Sequence, residues 1–207
     1  MLLEARDLKF AYQNGKEILS GFSLSMNNGE RVGVVAPSGR GKTTLCRLLA
    51  GYLKPQGGRV LLDGRDINEI TGYCPVQMIW QHPEKSVNPR LRIKEALADG
   101  DGIDDHIIDG LGIERAWLNR FPGELSGGEI QRFCIARALG RRTRFIIADE
   151  ISTMLDLITQ SQIWAFLLKE VADRSIGLLA VTHSDALMNL VASRTMAIDR
   201  HTEESGL

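Results

Sequence analysis

Three short stretches carry residue types that could do phosphate chemistry. Ala36-Pro37-Ser38-Gly39-Arg40-Gly41-Lys42-Thr43 follows an apolar run and precedes a helical pattern. Gly39 and Gly41 allow the tight turn that aims backbone N–H groups at phosphate oxygens, and the following helix adds its positive end. Lys42 is placed to reach the β- and γ-phosphates, with Thr43 and its neighbour Thr44 beside it and the Thr43 hydroxyl suited to Mg²⁺. The pattern normally opens with glycine, and here it opens with Ala36.

The second stretch is Asp149-Glu150, at the end of the apolar run Phe145 to Ala148. Two adjacent acids can be a solvated strand end. After a phosphate loop they read as a Mg²⁺ ligand, Asp149, and a general base, Glu150. The third is Ser126-Gly127-Gly128-Glu129. Serine with glutamate three residues on is a capping box, but that motif has no need of two glycines, which weaken a first helical turn. A capped helix end with a serine hydroxyl can also donate to phosphate, so both readings stand together.

The elements that must position these groups are legible as four short apolar runs ending at polar residues. They are Val32 to Val35, Met78 to Trp80 before Gln81, Phe145 to Ala148, and Leu178 to Val181 before Thr182-His183. Such runs read as buried strands, and if parallel they gather the residues that follow them at one sheet edge. Leu45, Leu48, Leu49 and Tyr52 keep helical spacing, with Gly51 and Pro55 as the stop. Residues 1 to 30 alternate around Asn14-Gly15 and Asn27-Asn28-Gly29, which suggests a small antiparallel sheet. Residues 82 to 125 are turn-rich and then weakly helical, interrupted by Gly100, Gly102, Gly110 and Gly112.

Composition narrows the class. The chain has 207 residues, 43% hydrophobic and 25% charged, with a formal net charge of -1. That length suits one domain and that charge gives no basic nucleic-acid surface. Arg141, Arg142 and Arg144 read as a solvated loop. Met1 to Arg6 contains Glu4 where a secretory signal would be apolar, and no run reaches the ~20 apolar residues of a membrane span, so a cytoplasmic location is expected. Cys46, Cys74 and Cys134 have no metal-type spacing and read as reduced thiols.

Taken in order, the phosphate loop, Leu125-Ser126-Gly127-Gly128-Glu129 and Asp149-Glu150 resemble the ATP-binding subunit of an ABC transporter. The resemblance implies an α/β fold: a P-loop NTPase core with a parallel-rich sheet, a small N-terminal antiparallel β subdomain and an inserted helical lobe. It implies a single domain over 1–207, with the core in 1–81 and 126–207 and the lobe in 82–125. It further implies that adenine stacks on Tyr12, that Gln81 touches Mg²⁺ and the attacking water, and that His183 senses the γ-phosphate. Ser152-Thr153-Met154-Leu155-Asp156 resembles the loop that passes between two subunits, which adds Asp156 to the nucleotide site. The family pairs head to tail, each ATP lying between one phosphate loop and the other subunit's Ser126-type segment.

Ala36 for glycine, Glu129 for glutamine and Ile151 for proline depart from the family pattern. None removes a charged or metal-binding group, so an active Mg²⁺-dependent ATPase is expected. Gln81-His82-Pro83-Glu84-Lys85-Ser86-Val87-Asn88-Pro89-Arg90 is similar to the ATPases of dipeptide, oligopeptide and nickel importers. That likeness implies transmembrane permease subunits docked on the 82–125 lobe, a second ATPase subunit, and an extracytoplasmic solute-binding protein. It places the chain peripherally at the cytoplasmic face of the membrane, with no nucleic-acid partner. The alternative function is a soluble ABC-type ATPase acting on nucleic acid or ribosomes. Such proteins carry a long coiled coil or two motif sets, and this sequence has neither.

Overall fold

The computed structural model describes all residues except 14, 16, 38, 99–102, 152–154 and 199–207. Ser38, the Ser152 to Met154 part of the inter-subunit loop, and Gly100 with Gly102 therefore lie outside the described residues.

The chain opens with β1 (Leu2–Ala11), β2 (Glu17–Asn27), β3 (Arg31–Val35) and α1 (Lys42–Leu49), followed by β4 (Gly57–Leu62), β5 (Arg65–Asp66) and β6 (Val76–Ile79). Two short helices come next, α2 (Ile93–Ala98) and α3 (Asp105–Gly110). The remainder is α4 (Gly127–Ala138), β7 (Phe145–Asp149), α5 (Leu157–Asp173), β8 (Gly177–Val181), α6 (Asp185–Val191) and β9 (Arg194–Ala197).

These strands form two sheets, a four-stranded one ordered β2-β1-β4-β5 and a five-stranded one ordered β6-β7-β8-β3-β9. Neighbours in the five-stranded sheet run parallel throughout. All four strands expected from apolar runs are in it. Their unbroken apolar character follows from burial on both faces. Along β7, Phe145 and Ile147 enter one core with α1 and the antiparallel sheet, while Ile146 and Ala148 enter a second core beneath α4 and α5. Leu179 and Val181 of β8 divide from Leu178 and Ala180 in the same way.

The antiparallel sheet is larger than the sequence suggests. β1 and β2 form the expected hairpin, but β4 pairs on the other side of β1, with Leu3 opposite Leu62 and Ala5 opposite Val60. The Asn27-Asn28-Gly29 turn closes no hairpin and instead carries the chain from β2 into β3 of the parallel sheet. Tyr52 lies beyond α1, is 55% exposed, and packs edge-on against Trp80 with ring centroids 5.0 Å apart.

Between β6 and α4 the chain forms α2, α3 and tight 3-10 turns at 83–85, 115–119 and 122–124. Ile93, Ile107 and Leu111 of this segment share the second core with Phe133 of α4 and Trp164 of α5. Six-residue helices are too short to hold themselves together in water, so this shared packing fixes them. The arginine loop is anchored: Arg141 pairs with Asp104 at 2.5 Å and Arg142 lies 4.8 Å over the Tyr73 ring. Cys46 and Cys134 are buried free thiols, and Cys74 is half-buried.

Candidate functional site

The parallel arrangement delivers the carboxyl ends of β3, β6, β7 and β8 to one edge, where open sheets of this kind bind ligands. A cleft of about 390 Å³ opens there, lined by Tyr12, Ile18, Gly39, Gly41, Lys42, Thr43, Thr44, Gln81, Glu150 and His183. Five sequence-distant stretches, at 12–18, 39–44, 81, 150 and 183, therefore meet at one place.

The loop after β3 turns through left-handed backbone at Gly39 (φ 74°) and Gly41 (φ 85°). At Gly41 the need for glycine is twofold, since a Cβ would also come within 2.4 Å of the Ile18 side chain. Gly41 starts α1 without any side-chain cap, so the first-turn N–H groups point into the cleft for an anion to satisfy. Pro37 accepts a hydrogen bond from the Arg40 N–H, and exposed Arg40 leads into the glycine turn. Ala36, in the position usually held by glycine, is half-buried and packs against the core between the sheets. Lys42 is 6% exposed, and its ammonium donates to the carbonyls of Ala36 (2.8 Å) and Pro37 (3.3 Å).

Asp149 ends β7 with 1% exposure. Burial is the main force on its carboxyl and pushes its pKa up, opposed chiefly by a hydrogen bond from Thr43. Its Oδ1 is buried with no hydrogen-bond partner. A buried carboxylate oxygen without a donor is costly, and a divalent cation at that point would remove the cost. Among the described residues no cluster of three or more acids, histidines or cysteines could hold a metal alone. The donor set thus fits Mg²⁺, which takes one or two protein carboxylates and completes its shell with substrate phosphates and water.

Glu150 is the next residue, and its backbone is left-handed (φ 50°). In a strand, successive side chains face opposite sides; the kink interrupts that alternation, and Glu150 lines the cleft whereas buried Asp149 is not among its lining residues. Its carboxylate lies between the Gln81 amide and the His183 ring. Gln81 Nε2 donates to Oε2 at 2.9 Å, and His183 Nε2 lies 2.7 Å from Oε1. The expected base, glutamine and histidine are thereby brought into contact at one point. Tyr12, 45% exposed, packs edge-on against Phe10 and bonds through its hydroxyl to Thr44 (3.2 Å).

Ser126, Gly127, Gly128 and Glu129 do not line this cleft. They form the start of α4, where the Ser126 Oγ accepts from the Glu129 N–H (3.3 Å) and the Glu129 carboxylate accepts from the Ser126 N–H (2.6 Å). That backbone bond is the main cause holding the Glu129 carboxyl below its ordinary pKa. A hydroxyl accepting one bond still has its proton to donate. Asp156 also stays outside the cleft: it caps α5 by accepting from the Ile158 and Thr159 N–H groups. Ile18 is the cleft residue the sequence did not single out; its alternation within β2 marks a strand side chain, and only the fold brings it against Gly41.

A family model described as "ABC transporter" matches residues 19–153. The chain belongs to the ABC transporter family. It is an ATP-binding, ATP-hydrolysing subunit of that family. It is 30% identical to the dipeptide transport ATP-binding protein DppF of Lactococcus lactis, over 93% of this chain and 70% of that protein. It is 28% identical to the oligopeptide transport ATP-binding protein OppF of Streptococcus mutans, with the same coverage. Among solved structures, a dimeric bacterial ABC transporter cassette superposes with a TM-score of 0.81 at 24% identity, covering 95% of this chain and 94% of that one. CbiO1 of Clostridium perfringens gives 0.75 at 22% identity, covering 95% and 84%. Among the described residues no helix is long and apolar enough to cross a membrane.

Proposed function

We propose that this ABC ATPase powers a membrane importer of peptides, and that the cleft at the edge of the parallel sheet is its hydrolytic half-site. The single observation that carries the catalytic part is the Gln81–Glu150–His183 contact, placed against a phosphate loop in one cleft. The cargo class rests on relatives named for dipeptide and oligopeptide transport.

In this reading the Gly39–Thr44 N–H groups and Lys42 hold the β- and γ-phosphates, and the Tyr12 ring carries the adenine. Thr43, Asp149 and Gln81 would hold Mg²⁺, which when bound neutralises charge shared between the β- and γ-phosphates. Glu150 takes a proton from the attacking water as its oxygen bonds to the γ-phosphorus and the bond to the β-phosphate oxygen breaks. His183 moves from Glu150 to a γ-phosphate oxygen, freeing one carboxylate oxygen for that proton. A second ATPase subunit supplies Ser126, Gly127, Gly128 and Glu129 across the nucleotide, with the Asp156 loop lying between the subunits. The 82–125 lobe docks the transmembrane permease, a solute-binding protein delivers cargo, and the chain sits at the cytoplasmic membrane face.

The test is Mg²⁺-dependent phosphate release by the chain, alone and with its permease. Glu150→Gln should lower turnover about 1,000-fold, within the range for a lost general base, and leave ATP binding in place. Unchanged turnover in that variant would remove Glu150 from the mechanism.

A further inference from the structure

α1 carries Lys42 at its start and Arg47 in its last turn. The Arg47 guanidinium lies over the ring of Trp80, 5.1 Å from its centroid, and Tyr52 meets the same ring edge-on at 5.0 Å. Tyr52 is itself placed by α1, because its N–H donates to the Arg47 carbonyl at 2.8 Å. Trp80 is therefore gripped by two side chains from the end of one helix. It follows the last residue of β6 and precedes Gln81, whose amide donates to Glu150.

A cation in a last helical turn complements the helix dipole, and that alone would explain an arginine at this position. Two observations ask for more. The Arg47 Nε is buried and has no hydrogen-bond partner among the described residues. That is costly for a polar group, and the aromatic face is what compensates a planar cation held there. The charge also reaches the sheet edge: against the dominant effect of burial, it favours the ionised form of the Asp149 carboxyl, as Lys42 does.

We propose that Arg47 is a positioning residue for Gln81, holding Trp80 by its stacked guanidinium so that the next side chain reaches Glu150 and the Mg²⁺ position together. The inference rests on the role proposed above for Gln81 and adds the group that holds it in place. Its sign separates it from a simple charge effect. Removing a cation near Asp149 reduces repulsion toward Mg²⁺ and would tighten the metal, whereas releasing Gln81 loosens it.

The test titrates the full chain with Mg²⁺ in the presence of a non-hydrolysable ATP analogue, and the rise in melting temperature reads binding without turnover. Arg47→Met keeps the length and apolar stem of the side chain. It should raise the Mg²⁺ concentration at half-effect about 10-fold, the scale of one desolvated cation–π contact, and leave analogue binding in chelator unchanged. Trp80→Leu should do the same and Trp80→Phe, which keeps an aromatic face, should restore most of the native value; these two read the contact from the other side if Arg47→Met does not fold. Gln81→Ala should also raise the Mg²⁺ midpoint, and adding Arg47→Met to it should raise it no further, because both act through one group. Shifts that add in the double variant overturn the inference, as does an unchanged or lowered midpoint in Arg47→Met while Gln81→Ala shifts it. If Gln81→Ala leaves the midpoint where it was, the role of Gln81 fails and the inference falls with it.

Discussion

The cleft at the sheet edge and the start of α4 differ in how their polar groups are satisfied. At the sheet edge, Lys42 is held by the Ala36 and Pro37 carbonyls, Thr43 bonds to Asp149, and Glu150 is held by Gln81 and His183. At the start of α4, the Ser126 and Glu129 side chains each bond to the other residue's backbone N–H at an exposed helix end. The first region is internally cross-braced and the second faces outward. Most buried polar groups find partners within the fold, Asp149 Oδ1 being an exception here, whereas an exposed group can be satisfied by water. The contrast is the one expected if, as proposed, the cleft is the half-site built within one subunit and the α4 end is the half offered to another.

The sharpest way to break that comparison is Ser126→Arg. If the α4 end acts on a partner's nucleotide, turnover should fall on the order of 100- to 1,000-fold, as for loss of a transition-state donor with added steric block. Binding of nucleotide to the isolated subunit should hold, as read by equilibrium titration. An equal loss of binding and turnover would show that the α4 end serves its own cleft. Lys42→Ala should do the reverse, weakening nucleotide affinity about 10- to 100-fold, the range of lost charge-assisted hydrogen bonds.

Gly41→Ala tests the braced region by sterics alone. It forces a side chain into left-handed backbone and against Ile18, and should cost about 2 kcal/mol in urea unfolding. Asp149→Asn should have the smallest effect and the opposite sign. The Asp149 carboxyl has a raised pKa in the folded chain, so its ionisation opposes folding. That penalty is absent at pH below the ordinary carboxylate value, where the group is protonated in both states, and grows as pH rises through the raised value. In chelator at neutral pH the asparagine variant should melt about 2–4 °C higher, equivalent to about 1 kcal/mol, and the gain should vanish in acid. Added Mg²⁺ with ATP should stabilise the native chain more than the variant.

Much of the braced region was legible because its signals are local. A glycine turn between an apolar run and a helix, or two acids at a strand end, needs no knowledge of the rest of the chain. β3, β6, β7 and β8 could be read because burial on both faces leaves uninterrupted apolar runs. β9 could not, since Arg194-Thr195-Met196-Ala197 at the sheet margin has no such run. β4 was hidden for another reason: it begins with Gly57-Gly58-Arg59, and its place beside β1 pairs positions as distant in sequence as Leu3 and Leu62. The 2.7 Å approach of His183 to Glu150 depends on β7 and β8 being neighbours, which is a property of strand order.

The left-handed backbone at Glu150 limits how the adjoining acids can be studied. A residue there must tolerate a conformation that costs a side chain with a Cβ about 1–2 kcal/mol, and branching at Cβ makes it dearer still. Valine, isoleucine or threonine at this position would shift the main chain as well as delete the carboxylate, moving Asp149 in the same stroke. Only isosteric glutamine, or a small flexible residue as its control, can report on the side chain without also reporting on the hinge beneath it.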